Sequence, residues 1–307
     1  MKEPVIVTAF WYVGRDKDCA IPRTNERYYQ EFAAWARIQN RLVIYTDKIS
    51  EAKIRNIRAE YSLIDKTDII VIDNIYDVES DLYMRMERTE KAKRYKSFKY
   101  IEDAMSNNAE FDYAWLMKYW CMADVVDKKL VNEEDVIAWM DFGFNHLDNC
   151  FSNMEEFDFL WKLNKEIDKI TLFSLSPIDN ISSVENMQFL TDVIMGVFHL
   201  VPVKYAKELW TLVKKAIEGL IMLDCIDDDQ QLLLMAYRFK PEIFNIEISD
   251  WFLPLKEYGA NHLSINSDKQ KNIKGNWFKG IYTQIGILRK RFIYLKKCYM
   301  AEKRNGR

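Results

Sequence analysis

The chain has 307 residues, of which 49% are hydrophobic and 30% are charged, so one large folded domain is expected and a disordered chain is excluded. The net charge of −3 is the sum of a basic tail and an acidic body: residues 277–307 carry +8 and residues 1–276 carry −11. An acidic body with a basic tail does not have the charge distribution of a nucleic-acid-binding groove. The basic tail indicates one local anionic partner instead.

Four short apolar runs in the first half have the length and composition of buried strands. They are EPVIVTAFWYV at 3–13, RLVIYTD at 41–47, DIIVIDNI at 68–75 and DVIAWMDFG at 135–143. Residues 25–40 and 50–61 separate the first three runs and predict helices, the second with Ser50 as its N-cap. Strands that alternate with helices predict βαβ units and an α/β fold with a mostly parallel sheet.

The remaining elements are less regular. Helices are predicted at 97–107, 113–129, 203–220 and 227–241, and strands at 168–175 and 191–202. The last of these helices begins at a run of acids and ends at Pro241. We therefore expect one α/β domain over residues 1–276, followed by a basic amphipathic helical segment over 277–307.

Several features predict a cytoplasmic protein. The five cysteines are odd in number and widely spaced, which favours a reducing compartment over a disulfide framework. The first residues do not have the apolar region of a signal peptide, and no apolar run is long enough to span a bilayer. The basic tail is typical of a helix on an anionic membrane surface, or of a helix packed on the domain with a solvated basic face. Both interpretations stay open.

Asp141 is the first candidate site residue. It follows an apolar strand directly and precedes Phe142 and Gly143, where the chain can turn. In open α/β sheets, ligands lie beyond the carboxyl ends of the strands, and a carboxylate there can bind a divalent cation. On spacing alone, an ordinary strand-terminating aspartate is slightly favoured.

The second candidate is the acid run DCIDDDQQLLL at residues 224–234. Acids at a helix N-terminus complement its dipole and cap its free N–H groups, but this explains only one or two of them. Adjacent carboxylates repel, so the run predicts a cation, an arginine or a substrate hydroxyl that relieves the repulsion.

Single histidines and one lysine complete the candidates. His262 lies in a polar, loop-like stretch that suits a metal ligand, whereas His199 is expected to pack within a strand and His146 follows the Asp141 turn. Lys118 lies among aromatic residues on a predicted helix. Snorkelling to solvent is favoured for it over binding an anion.

These stretches together resemble the HtrL/YibB family, a bacterial group regarded as candidate glycosyltransferases. The similar segments are VTAFWYVGR, RLVIYTD, SFKYIEDA, AWMDFGFNH, MGVFHL, DDDQQLLL and KPEIF. They keep their order over residues 5–245, and the W-x-D-F-G core around Asp141 is the most specific of them. The family's glycine pair is represented here by Gly196 alone.

A wider resemblance is to GT-A glycosyltransferases of the retaining type. Lys118 and Asp141 resemble that group's helix lysine and strand-end D-x-D, and Asp229 with Gln230 resembles its acid-glutamine pair. The resemblance implies Mn²⁺ or Mg²⁺ at Asp141 and His262. Gly143 stands where the second acid of D-x-D is expected, which leaves the metal open.

The resemblance also implies a role for each site residue. Asp228, Asp229 and Gln230 would face the sugar as catalytic residues. The nucleotide and its diphosphate would contact Thr8, Ala9, Phe10, Arg15, Lys118, Asp141 and Gly196. Carboxylates stabilise the positive charge that develops on the sugar, and Lys118 and Arg15 would stabilise the diphosphate.

The function implied is transfer of a sugar from a nucleotide-sugar, most simply a UDP-sugar, to a surface-polysaccharide or lipid-linked glycan acceptor. The basic tail would hold the enzyme at the inner face of the membrane. The alternative is a glycosyltransferase-like protein that binds nucleotide or sugar, or scaffolds a cell-surface assembly, without catalysis. A weaker third hypothesis is a metal-dependent phosphohydrolase that uses the acid run.

Overall fold

The computed structural model describes most of the chain up to residue 266. The described residues are 2–13, 24–97, 99, 108–146, 150–179, 181–189 and 193–266, with the separate positions 288, 292, 295, 296, 299, 300 and 303. Arg15 and most of the helix predicted at 97–107 lie outside them. The domain boundary predicted at residue 276 also lies outside them and stays a prediction.

Seven strands form one sheet. They are β1 Val5–Phe10, β2 Leu42–Thr46, β3 Thr67–Val71, β4 Val136–Met140, β5 Ile170–Ser174, β6 Phe198–Pro202 and β7 Phe244–Ile248. Their order is β3-β2-β1-β4-β6-β5-β7. Only β6 runs against its neighbours β4 and β5, while the other described pairs are parallel. The predicted mixed, mostly parallel α/β sheet is confirmed.

Helices flank this sheet. They are α1 Asn25–Trp35, α2 Lys48–Glu60, α3 Ser80–Ala92, α4 Ala109–Asp127, α5 Ser183–Phe189, α6 Val203–Met222, α7 Asp229–Phe239 and α8 Leu253–Glu257. Strands β2 and β4 each pair on both sides and are buried along their whole length, which explains their continuous apolar sequences. One cluster of buried residues packs α4, α6 and α7 against the sheet, and a second packs α1 against it.

Two local predictions are corrected by the structure. Helix α2 begins earlier than predicted, because the Asp47 side chain caps it by accepting from the Ser50 backbone N–H, so Ser50 lies inside the first turn. The strand predicted at 191–202 is regular only from Phe198, and Ile194 makes an isolated bridge to Ser174. Between Ile194 and Phe198 the chain bends at Gly196. The bend places this glycine beside the carboxyl end of β4.

The described part of the chain contains no helix that is both long enough and apolar enough to cross a bilayer.

Candidate functional site

A buried lysine gathers two carboxylates at the carboxyl end of β4. The Lys118 Nζ on α4 lies 2.8 Å from Asp229 Oδ2 and 3.3 Å from Asp141 Oδ1. It also donates to the backbone carbonyl of Gly196 at 2.8 Å. We call Lys118, Asp141, Asp229 and Gly196 the lysine cluster. The structure thus brings together four predicted site residues that are far apart in the sequence.

Lys118 does not snorkel, so the interpretation favoured from the sequence is wrong. Its side chain is only 4% exposed. Burial pulls the pKa of Lys118 down, but the Asp141 and Asp229 carboxylates outweigh it and the pKa is raised overall. An ammonium group has three N–H donors, and three protein acceptors use them here. In this arrangement, no Lys118 donor is left for a diphosphate.

Two aromatic side chains hold the carboxylates of the lysine cluster in place. Tyr119 donates its hydroxyl hydrogen to Asp229 Oδ2 at 2.9 Å, and Trp139 Nε1 donates to Asp141 Oδ1 at 2.6 Å. Burial, followed by the charge of Asp229, raises the pKa of Tyr119 well above its usual value, so the hydroxyl stays a donor. Neither residue was a candidate site residue from the sequence, although Trp139 is the tryptophan of the W-x-D-F-G core. Trp139 could have been found from its position two residues before Asp141, because alternate strand residues share a face.

Asp141 is the member of the lysine cluster that solvent can reach. Its side chain is 34% exposed, against 7% for Asp229 and 4% for Lys118. Its backbone N–H donates to the Val197 carbonyl at 3.0 Å and extends the pairing of β4 with β6. A ligand at this edge of the sheet would therefore meet the Asp141 carboxylate first.

Gly196 is required by the close approach of Asp229. A Cβ at position 196 would lie 2.5 Å from Asp229 Oδ2. The Asp229 side chain cannot move away cheaply, because Lys118 and Tyr119 both hold that oxygen. This packing gives a direct reason for the glycine in the MGVFHL segment.

Replacing Gly196 with Ala should lower the free energy of unfolding by about 1–3 kcal/mol, because the added methyl group displaces Asp229 from Lys118. Urea denaturation measures the change. Gly219→Ala in α6 is the matched control, since its Cβ would meet no atom nearer than Met235 Cε at 3.9 Å. Alanine in a helix should leave stability equal or raise it by up to about 1 kcal/mol. Equal losses in the two variants would contradict the prediction.

The acid run is divided among different partners. Asp227 pairs with the buried Lys99 at 2.8 Å, Asp228 caps α7 by accepting from the Gln230 N–H, and Asp229 pairs with Lys118. The expectation that cations relieve the repulsion is confirmed for Asp227 and Asp229. The three carboxylates do not act as one cluster, which removes the basis for a phosphohydrolase centred on this run.

The two glutamines that follow carry unused acceptors. Gln230 Oε1 and Gln231 Oε1 are both buried and have no hydrogen-bond partner among the described residues. Buried polar atoms are nearly always hydrogen-bonded, so such atoms are candidates for contact with a ligand. Gln230 directly follows Asp229 of the lysine cluster in the sequence, and its role facing the sugar stays a prediction.

His199 packs within β6, as the sequence predicted. Its ring is fully buried and stacks on Tyr119 at 5.8 Å between centroids. Burial and then the charge of Lys118 lower the pKa of His199 to about 3, so the ring is neutral.

The neutral His199 should make stability depend on pH. The unfolded chain binds a proton at this ring below pH of about 6.5, whereas the folded protein does so only near pH 3. The stability that comes from the neutral ring is thus present above pH 6.5 and is lost as pH falls towards 3. His199→Gln should reduce the loss of unfolding free energy between pH 7 and 5 by about 2 kcal/mol. A His199→Gln variant that loses as much unfolding free energy over this range as the unaltered protein would refute the assignment.

The predicted nucleotide contacts on β1 are enclosed by the fold. Thr8 is fully buried, and Phe10 is nearly so because it stacks on Phe142 at 4.7 Å between centroids. Ala9 is half-buried and packs on the opposite face of the sheet. Their roles in nucleotide binding stay predictions, and so does that of Arg15.

The residues described here do not fit a metal ion held by the protein alone. Asp141 contacts Lys118 and Trp139, and a glycine occupies position 143. His262 lies elsewhere, with its Nε2 2.9 Å from the Glu156 carbonyl and its ring against Phe159. Within the described ranges, no three His, Cys, Asp or Glu side chains gather in a way that could hold a metal. The predicted Mn²⁺ or Mg²⁺ stays a prediction.

Comparison with known proteins places the chain in a family. Residues 2–259 match the HtrL_YibB model, described as a bacterial protein of unknown function. The chain is 24% identical over 279 residues to Protein HtrL of Escherichia coli (strain K12), covering 84% of this chain and 93% of that protein. It is also similar to the crystal structure of mouse xyloside xylosyltransferase 1 in its apo form, at a TM-score of 0.39 and 12% identity, covering 79% of this chain and 84% of that one. Because the family match covers most of its length, this chain belongs to the HtrL_YibB family.

Proposed function

We propose that this protein is a glycosyltransferase that moves a sugar from a nucleotide-sugar, a UDP-sugar in the simplest case, to a surface-polysaccharide or lipid-linked glycan. The observation that carries the proposal is the lysine cluster, in which Asp141 and Asp229 converge on Lys118 beyond the end of β4. This is the edge where open α/β sheets bind their ligands. The order of these residues in the sequence, which resembles that of GT-A enzymes, supports the same conclusion.

The charges of the cluster suit the sugar rather than the diphosphate. Two carboxylates surround a single ammonium group, which leaves an excess of negative charge. Transfer of a glycosyl group develops positive charge on the sugar ring, and Asp229 and Asp228 would stabilise it. The half-buried Asp141 carboxylate would accept hydrogen bonds from sugar or ribose hydroxyls, while the buried acceptor of Gln230 would orient another hydroxyl.

Lys118 acts in this proposal as a positioning residue. Its ammonium holds both carboxylates and the Gly196 carbonyl in one arrangement. Catalysis depends on such fixed geometry, since small displacements of a reacting group cost large factors in rate. Stabilisation of the leaving diphosphate would come from another cation, for which Arg15 is the candidate from the sequence.

A second candidate function is a non-catalytic protein that binds nucleotide or sugar, or scaffolds a cell-surface assembly. The favouring observation is that every Lys118 donor is already used and that Gly143 replaces an acid. Buried ion pairs also occur as purely structural features.

A panel of UDP-, GDP- and CDP-sugars tests the proposal. A bound donor should raise the melting temperature, because a ligand that binds only the folded state stabilises it. Asp141→Asn should weaken binding of that donor by roughly tenfold, since one charge-assisted hydrogen bond becomes a neutral one. Asp135→Asn, at the other end of β4, is the matched control. The proposal would be refuted if no donor raised the melting temperature and no donor was turned over. Binding without turnover would favour the non-catalytic alternative.

The basic segment 277–307 would hold the enzyme near a lipid-linked acceptor. Nine basic residues against one acid favour contact with an anionic surface. Sedimentation with phosphatidylserine vesicles tests this part of the proposal. Equal recovery on neutral phosphatidylcholine vesicles would count against it.

A further inference from the structure

A carboxylate from α1 lies beside position 143, where a side chain at that position would begin. A Cβ on Gly143 would be 2.8 Å from Glu31 Oε2 and 3.1 Å from the Tyr28 ring. The acid expected two positions after Asp141 is thus missing from the strand end. A different acid, from a helix 112 positions earlier in the chain, occupies the adjoining space.

Helix α1 and the turn after β4 are held firmly together. Trp35 Nε1 donates to the Phe142 carbonyl at 3.2 Å, and the Phe32 ring stacks on Phe142 at 4.4 Å between centroids. The Phe144 N–H closes the turn by donating to the Asp141 carbonyl at 2.8 Å. Because both α1 contacts are made to Phe142, directly before Gly143, packing fixes the position of α1 relative to the turn.

Glu31 has an unused acceptor. Its side chain is 9% exposed, and its Oε1 accepts from Arg27 Nε at 3.0 Å. Its Oε2 is buried and has no hydrogen-bond partner among the described residues. Leaving a buried carboxylate oxygen without a partner costs free energy, so this atom is suited to accept a hydrogen bond from a ligand.

The same ion pair also has an unused donor. Arg27 Nη2 is buried and, in the described part of the chain, has no acceptor. A free cation would suit Glu31 but would be repelled by the guanidinium, and a phosphate would suit Arg27 but would be repelled by the carboxylate. A hydroxyl group is neutral and both donates and accepts, so its chemistry suits a carboxylate acceptor and a guanidinium donor without either repulsion.

We infer that Glu31 is the second acid of the site, delivered by α1 to the place beside Gly143, and that with Arg27 it binds a hydroxyl of the nucleotide-sugar. This inference rests on the proposed function. It assigns the Arg27–Glu31 ion pair of α1 a role in the specificity for the donor. The Asp141–Gly143 turn does not provide this role, because it carries only one acid.

Binding of the donor that the panel selects tests the inference by calorimetry. Glu31→Gln should weaken binding by roughly tenfold, because the amide cannot offer a charged acceptor. Glu26→Gln on the same helix is the matched control, since its side chain is 63% exposed and pairs with Lys53. It should bind as the unaltered protein does. Circular dichroism checks that both variants fold.

The outcomes separate the inference from the proposed function. Equal binding by Glu31→Gln and the unaltered protein overturns the inference and leaves the proposed function standing. A loss seen with Mn²⁺ but not with EDTA would mean that Glu31 binds a metal, which overturns the hydroxyl assignment. Absence of binding by the unaltered protein to every donor overturns the proposed function and this inference with it.

A stability measurement tests the placement of Glu31 without any ligand. Gly143→Ala should lower the melting temperature, because its methyl group meets Glu31 Oε2. In a Glu31→Ala background the same change should cost about half as much or less, since residues in contact are not additive. Equal costs in both backgrounds would show that Glu31 does not occupy this space, and the inference would fall.

Discussion

Replacing Lys118 with Met should lower the free energy of unfolding by about 3–5 kcal/mol, the usual cost of leaving a buried charge without its partner. The loss of stability arises mainly at Asp229, whose buried carboxylate is left without its counter-charge. Its side chain is 7% exposed, and its Oδ2 lies 2.8 Å from the ammonium that the change removes. The Gly196 carbonyl loses its donor as well. Turnover in the proposed reaction should fall by roughly 100-fold or more, because both carboxylates lose their fixed positions.

Urea denaturation and initial-rate kinetics measure the two effects of the Lys118 change. Lys128→Met is the matched control at the end of the same helix, where the exposed Lys128 lies 3.4 Å from Asp124 and should contribute under about 1 kcal/mol. Adding Asp229→Asn to Lys118→Met should restore part of the lost stability, since the uncompensated charge disappears. A double variant no more stable than Lys118→Met would contradict the proposed cause.

Replacing Arg58 with Ala should cost about 3–5 kcal/mol of unfolding free energy, through an emptied core position and several lost hydrogen bonds. The Arg58 side chain is fully buried, and burial lowers its pKa to about 10. Its guanidinium donates to the backbone carbonyls of Ala36, Ile38 and Asn40 and to the Thr67 hydroxyl. None of these acceptors carries a charge. The three carbonyls lie in the connection between α1 and β2, so Arg58 fixes this connection to the core.

Urea denaturation of Arg58→Ala beside Arg55→Ala checks this role. Arg55 lies on the same helix but is 48% exposed and pairs only with Glu51 in the contacts described. Its loss should cost under about 1 kcal/mol. Arg58→Lys should also be clearly destabilising, because an ammonium cannot reproduce the planar fork. A change below 1 kcal/mol in Arg58→Ala would disprove the structural role.

Strands β1 to β6 could be predicted from the sequence because each carries a local apolar signal, whereas β7, which is mostly half-buried or exposed, was not predicted. The continuous apolar runs of β2 and β4 indicate burial on both faces, and the structure buries every residue of both strands. The start of α7 could be predicted from its acids, since Asp228 caps that helix by local geometry. The start of α2 was misplaced because Asp47 and Ser50 are both good caps, and only the fold selects between them.

The candidate site was only partly accessible to such reasoning. Asp141, Lys118 and Asp229 were found as separate residues, from a strand end, an unusual helix position and an acid run. Their contacts could not be found, because Lys118 lies 23 positions from Asp141 and 111 from Asp229. The expected snorkelling of Lys118 was wrong for the same reason, since the acceptors that make burial tolerable come from distant elements.

The sequence by itself determined the class of the fold, the buried strands and the family, because apolar periodicity and short motifs are local properties. Only the tertiary structure decided the long-range partners of the buried polar side chains. It placed Asp227 and Asp229 with different lysines, and it brought Glu31 to the place where Gly143 lacks a side chain. The physical reason is that the charge and hydrogen bonding of a buried group depend on the neighbours that folding brings within a few ångströms.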